Sequence, residues 1–132
     1  MIAILYREEL KEYDFGPGHP FRGDRYEVFP SFLKENLSED DNYRMLKSDW
    51  ASDDDLLRIC QGAYIDFTRS YYRASNLGLS YDGGFYQYHS ADNRPIGRSG
   101  KLEEAARLII GQAKLACDLV QSDKFKRRSR LA

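Results

Sequence analysis

Histidine, cysteine and tryptophan are scarce in this chain of 132 residues, which has two histidines, two cysteines and one tryptophan. The shortage excludes much. A catalytic zinc takes about three protein ligands and keeps one position open. His19 and His89 stand far apart, and no Cys-x-x-Cys lies near either. Cys60 and Cys117 are isolated, which points to a reducing cytoplasm rather than a disulfide-stapled secreted domain. No Ser-His-Asp or Cys-His arrangement is legible in the order of the residues. Charge of one sign is missing too: the net charge is −1, so nothing draws the chain as a whole toward nucleic acid or acidic membranes. The opening apolar run ends at Arg7, Glu8 and Glu9, too early for a signal peptide or a membrane span.

Hydrophobic residues at 42% and charged residues at 31% suit one soluble globular domain over residues 1–132, long enough to bury a core. The 10 tyrosines and 7 phenylalanines are a heavy aromatic load, suited to core and interface. The most constrained stretch is Phe15-Gly16-Pro17-Gly18-His19-Pro20-Phe21-Arg22-Gly23-Asp24-Arg25. Gly and Pro at that density fix an irregular backbone, and a rigid loop displaying His and Arg is a place where chemistry can be mounted.

Around that loop the periodicities predict alternating elements. Ile2-Ala3-Ile4-Leu5-Tyr6 reads as a strand buried on both faces. Tyr26, Phe29, Phe32, Leu33 and Leu37 recur at helical spacing over 24–37, with a kink or break expected at Pro30. Tyr43 to Lys47 is a second short strand. Ser52, with Asp55 three residues on, opens a short helix. The Asp53-Asp54-Asp55 triplet is not a metal site on this reading, because consecutive residues at a helix start point in different directions. Gly62 is expected to separate that helix from the next, over Ala63 to Tyr72. Residues 74–100 form a long loop rich in Gly, Asp and Asn. Lys101 to Ser122 is a helix apolar on more than one side, with Leu108, Leu115 and Leu119 broadening the stripe set by Leu102, Ala105, Ile109 and Ala116. The tail 123–132 is basic, with five of the seven residues from Lys124 to Arg130 carrying positive charge.

Gly16-x-Gly18-His19-Pro20-x-x-x-x-Arg25, after Tyr13 and a short strand, resembles the opening of the histone deacetylase superfamily, which includes the acetoin-utilisation and acetylpolyamine deacetylases. Cys60-Gln61-Gly62-Ala63-Tyr64 matches by spacing a later family segment but has Cys60 where the family has His. Arg22 and Gly23 stand where Lys and Pro are usual. Gly111, Ala113 and Ala116 resemble the small-residue helix that packs on the family's central sheet.

The resemblance implies an α/β, helix-rich, partial arginase/deacetylase fold with short parallel strands. It implies that Arg25 lines an internal channel, that His19 and Pro20 shape the loop supporting it, and that Asp82, Tyr88 and Asp92 lie near the channel rim. It also implies elements this sequence does not contain: a Gly-Gly-x-His-His segment, an Asp-x-His pair, a further Asp and a distal Tyr. The chain therefore reads as a deacetylase-like N-terminal region, truncated before the zinc site, with no catalytic residue and no metal of its own. The expected function is a non-catalytic homo-oligomeric or interaction module in the cytoplasm, with Leu108, Leu115 and Leu119 at the interface. The alternative is the first part of a zinc-dependent deacetylase completed by a separate C-terminal chain. Nucleic-acid binding through the tail is the third class, and is not expected, because only one short basic run is present.

Overall fold

In the computed structural model, which describes residues 2–39, 41–79, 88 and 101–122, the opening apolar run forms β1 (Ile2–Leu5). Its partner is β2 (Tyr43–Leu46), and the two pair in parallel, with Ile2 opposite Tyr43 and Leu5 opposite Leu46. Parallel strands need a crossover, and here it contains a 3₁₀ helix (Glu8–Glu12), the Gly/Pro loop and α1 (Asp24–Asn36). The 3₁₀ helix, which the sequence reading did not foresee, buries Leu10 and touches both α1 and the last helix. The architecture is mixed α/β and helix-rich, with a two-stranded parallel sheet among the described residues.

Two expectations change here. β1 is not buried on both faces: Ile2 is 65% exposed and the rest of the strand is half-buried, because no third strand lies beside it among the described residues. Nor does Pro30 break its helix, since α1 runs unbroken from Asp24 to Asn36. A proline in a helix interior has no N–H for the carbonyl four residues back, which here is that of Tyr26. The Tyr6 hydroxyl, arriving from the end of β1, donates to the Tyr26 carbonyl at 2.6 Å. The proline's missing donor is thus supplied from the strand. The Tyr6 ring also lies 6.5 Å from that of Phe29, so one side chain docks α1 onto the sheet.

After β2 the chain crosses the last helix and enters α2 (Asp53–Leu56) through the expected cap: the Ser52 side chain accepts from the Asp55 N–H, and the Asp55 side chain accepts from the Ser52 N–H. Gly62 is the first residue of α3 (Gly62–Asn76) rather than a separator. The last described helix is α4 (Leu102–Gln121). Gly111 of α4 is where segment 47–51 crosses: a Cβ there would sit 1.9 Å from the Asp49 carbonyl oxygen, so only glycine fits. One core cluster joins Phe15, Phe67, Tyr71, Tyr72 and Leu102; a second joins Ala51, Leu56 and Ile65. No helix among the described residues is long and apolar enough to cross a membrane.

Candidate functional site

The Gly/Pro loop folds on itself around one carboxylate. Asp14 accepts from the Gly16 N–H at 2.7 Å through one oxygen and from the Gly23 N–H at 3.0 Å through the other, pinning both ends of the turn. Gly16 and Gly18 take positive φ values of 92° and 84°, a region that L side chains rarely enter. Gly23 is required for a different reason: a Cβ there would lie 1.9 Å from the Lys11 carbonyl oxygen.

His19 is turned inward upon the loop. Its ring stacks on Phe15 at 4.8 Å between centroids, and its Nδ1 accepts from the Phe21 N–H at 3.0 Å. Pro20 is exposed at the turn. Arg25, expected to line an internal channel, is exposed on α1 among the described residues, with its guanidinium 5.1 Å from the Tyr26 ring and 5.9 Å from that of Phe21.

Behind the loop is a cavity of about 350 Å³, walled by Tyr13, Phe15 and Phe21 from the loop, Tyr64 and Tyr72 from α3, and α4. Burial pushes the Tyr13, Tyr64 and Tyr72 hydroxyls above the ordinary phenol range, so all three keep their protons at neutral pH. Tyr88, expected at a channel rim, also lines this cavity and packs against α3, with its ring 5.0 Å from Phe67 and 5.4 Å from Tyr64. Cys60 also lines this cavity, at the position where the resembling family has His. Asp82, His89, Asp92 and the tail 123–132 lie outside the described residues.

The polar centre of the structure was not anticipated. Arg107 of α4 donates to the Ala51 carbonyl at 3.3 Å, pairs with Asp53 at 2.8 Å and bonds Glu103 one turn earlier. Arg69 Nη2 meets the same Asp53 at 2.6 and 2.7 Å, and Lys114 meets Asp55 at 2.7 Å. These hydrogen bonds, first from Arg69 and then from Arg107, hold the Asp53 carboxyl below its usual range, and Lys114 does the same for Asp55. The acidic triplet therefore ties α2 to α3 and α4. The i, i+4 spacing of Glu103 and Arg107 was the available signal; that Asp53 would meet it was not legible.

Leu108 is not an interface residue. It is 0% exposed, sealed within the chain, while Leu115 and Leu119 are half-buried further along α4. No group of three His, Cys, Asp or Glu that could hold a metal occurs among the described residues. Comparison of the chain with protein-family models, with curated protein sequences and with solved structures returned no match.

Proposed function

We propose that this chain is a deacetylase-like interaction module that acts by self-association, and that it is not a hydrolase by itself. The observation that carries the reading is a sheet layer of two strands among the described residues. Parallel sheets are ordinarily covered on both faces and built from more than two strands. Here two four-residue strands stand together, and α1, held through Tyr6 just past the end of β1, exposes large apolar side chains. Val28, Phe29 and Phe32 of α1 are 63%, 40% and 60% exposed. Adjacent apolar surface on that scale marks an interaction site.

Light scattering behind a sizing column, over a range of concentrations, tests this. A discrete multiple of 15.3 kDa is expected; a monomer at every concentration overturns it. A second reading, an N-terminal deacetylase part completed by a separate chain that carries the zinc ligands, is favoured by the aromatic cavity behind the Gly/Pro loop, which a further segment could enter. Acetyl-lysine hydrolysis that appears only when such a chain is added, and disappears with a chelator, would establish it.

A further inference from the structure

The two strands of the sheet do not have equivalent outer edges. β2 carries Arg44, which is exposed, and Lys47 follows it directly. Charged residues of this kind are how sheets protect a true edge from further pairing. β1 carries no charge from Ile2 to Tyr6. Continuous apolar runs belong to interior strands of parallel sheets, yet β1 has a partner on one side only among the described residues. By composition β2 is an edge and β1 is an inner strand without a second neighbour among the described residues.

The hydrogen bonds fix which groups are offered. The Ile2 N–H donates to the Asn42 carbonyl at 3.1 Å, and the Tyr6 N–H to the Leu46 carbonyl at 3.0 Å. Successive residues of a strand direct their main-chain groups to opposite sides, so Ile2, Ile4 and Tyr6 serve β2 while Ala3 and Leu5 face the other way.

We infer that the free edge of β1 is an interaction surface for β1 of a second copy, joined antiparallel about a two-fold axis at Ile4. This rests on the self-association proposed above and names its interface. In that register Ala3 faces Leu5 of the second copy as a hydrogen-bonded pair, and Leu5 faces Ala3, while Ile4 meets Ile4 as a non-hydrogen-bonded pair. The product is a four-stranded sheet with the two β1 strands inside and a charged β2 at each outer edge. One contact closes both free edges and leaves none that invites more chains. Because Tyr6 packs on α1, and this axis is perpendicular to the sheet, both α1 helices lie on the same face. Their exposed Val28 and Phe32 side chains then flank the joined sheet on that face.

Two variants test the surface. Ala3→Pro deletes an outward N–H without touching a β1–β2 bond, and should convert a dimer of the 15.3 kDa chain to monomer with helical circular dichroism unchanged. Ile4→Cys should give a disulfide-linked dimer on mild oxidation, since opposed Cα atoms in a non-hydrogen-bonded pair lie about 4.5 Å apart. Wild type, with Cys60 and Cys117, should not cross-link under the same conditions. If Ala3→Pro fails to fold, the cysteine variant decides alone. A dimer that survives Ala3→Pro, or an Ile4→Cys variant that does not cross-link, overturns the interface and leaves self-association standing. Open-ended assemblies overturn the closed geometry, and a monomeric wild type overturns both proposals.

Discussion

Removing the Tyr6 hydroxyl, by Tyr6→Phe, isolates a single interaction. The substitution keeps the ring beside Phe29 and removes only the donor to the Tyr26 carbonyl. A buried carbonyl left without a partner costs about 1–3 kcal/mol. Tyr26 is half-buried, so water recovers part of that loss and the lower end applies, about 1 kcal/mol. For a chain of this size the melting temperature falls by roughly 3–5 °C. The decisive comparison is the same change in a Pro30→Ala background. Alanine restores the helix N–H that the Tyr26 carbonyl lacks, and removes an interior-proline penalty of about 3 kcal/mol, less about 0.4–1 kcal/mol for the freer unfolded chain. With the carbonyl already bonded, the Tyr6 hydroxyl becomes redundant. Urea unfolding of the four proteins should give a coupling of about 1 kcal/mol between the two sites. Equal costs of Tyr6→Phe in both backgrounds would refute the account of how α1 tolerates its proline.

The remaining predictions concern the junctions. Gly111→Ala places a Cβ against the Asp49 carbonyl; overpacking of about 1–3 kcal/mol exceeds the gain in helix propensity, about 1 kcal/mol, so denaturant should unfold the variant sooner than wild type, and an unchanged or higher midpoint would show that the crossing is looser than described. The Glu9 carboxyl is held at about 2, chiefly by the hydrogen bond from Arg7, which also donates to the Ser48 carbonyl and lies over Trp50. A depressed carboxyl contributes stability that is fully present above its unfolded value, about 4.3, and is lost as pH falls toward 2. The destabilisation caused by Glu9→Gln should therefore be visible at pH 6 and vanish near pH 2; a penalty independent of pH would contradict it.

Local rules were legible where one residue type answers one backbone need. Ser52 and Asp55 announced their helix cap, the run from Tyr43 the strand that ends at Leu46, and Gly16 and Gly18 their positive φ angles. What depended on a partner distant in sequence was not legible. Pro30 reads as a helix breaker until Tyr6 is found on its neighbour's carbonyl. The acidic triplet reads as a simple helix start until Arg69 and Arg107 arrive at Asp53. Leu108 and Leu115 look alike on a helical stripe. Which elements pack on each half of α4 decides that the first is sealed and the second is partly bare.

The junction at Arg107 also bears on the order in which this chain can acquire its structure. The Ala51 N–H donates to the Arg107 carbonyl at 3.1 Å, and the Arg107 side chain returns a bond to the Ala51 carbonyl across 56 residues of sequence. During synthesis from the N-terminus, β1, the loop, α1 and β2 can emerge and pair while Asp53 still lacks Arg107. Contacts of such long sequence separation are slow to form. The segment that leads into α2 therefore waits for α4, and until then the earlier part of the chain holds its strands and α1 without the helix that closes over them.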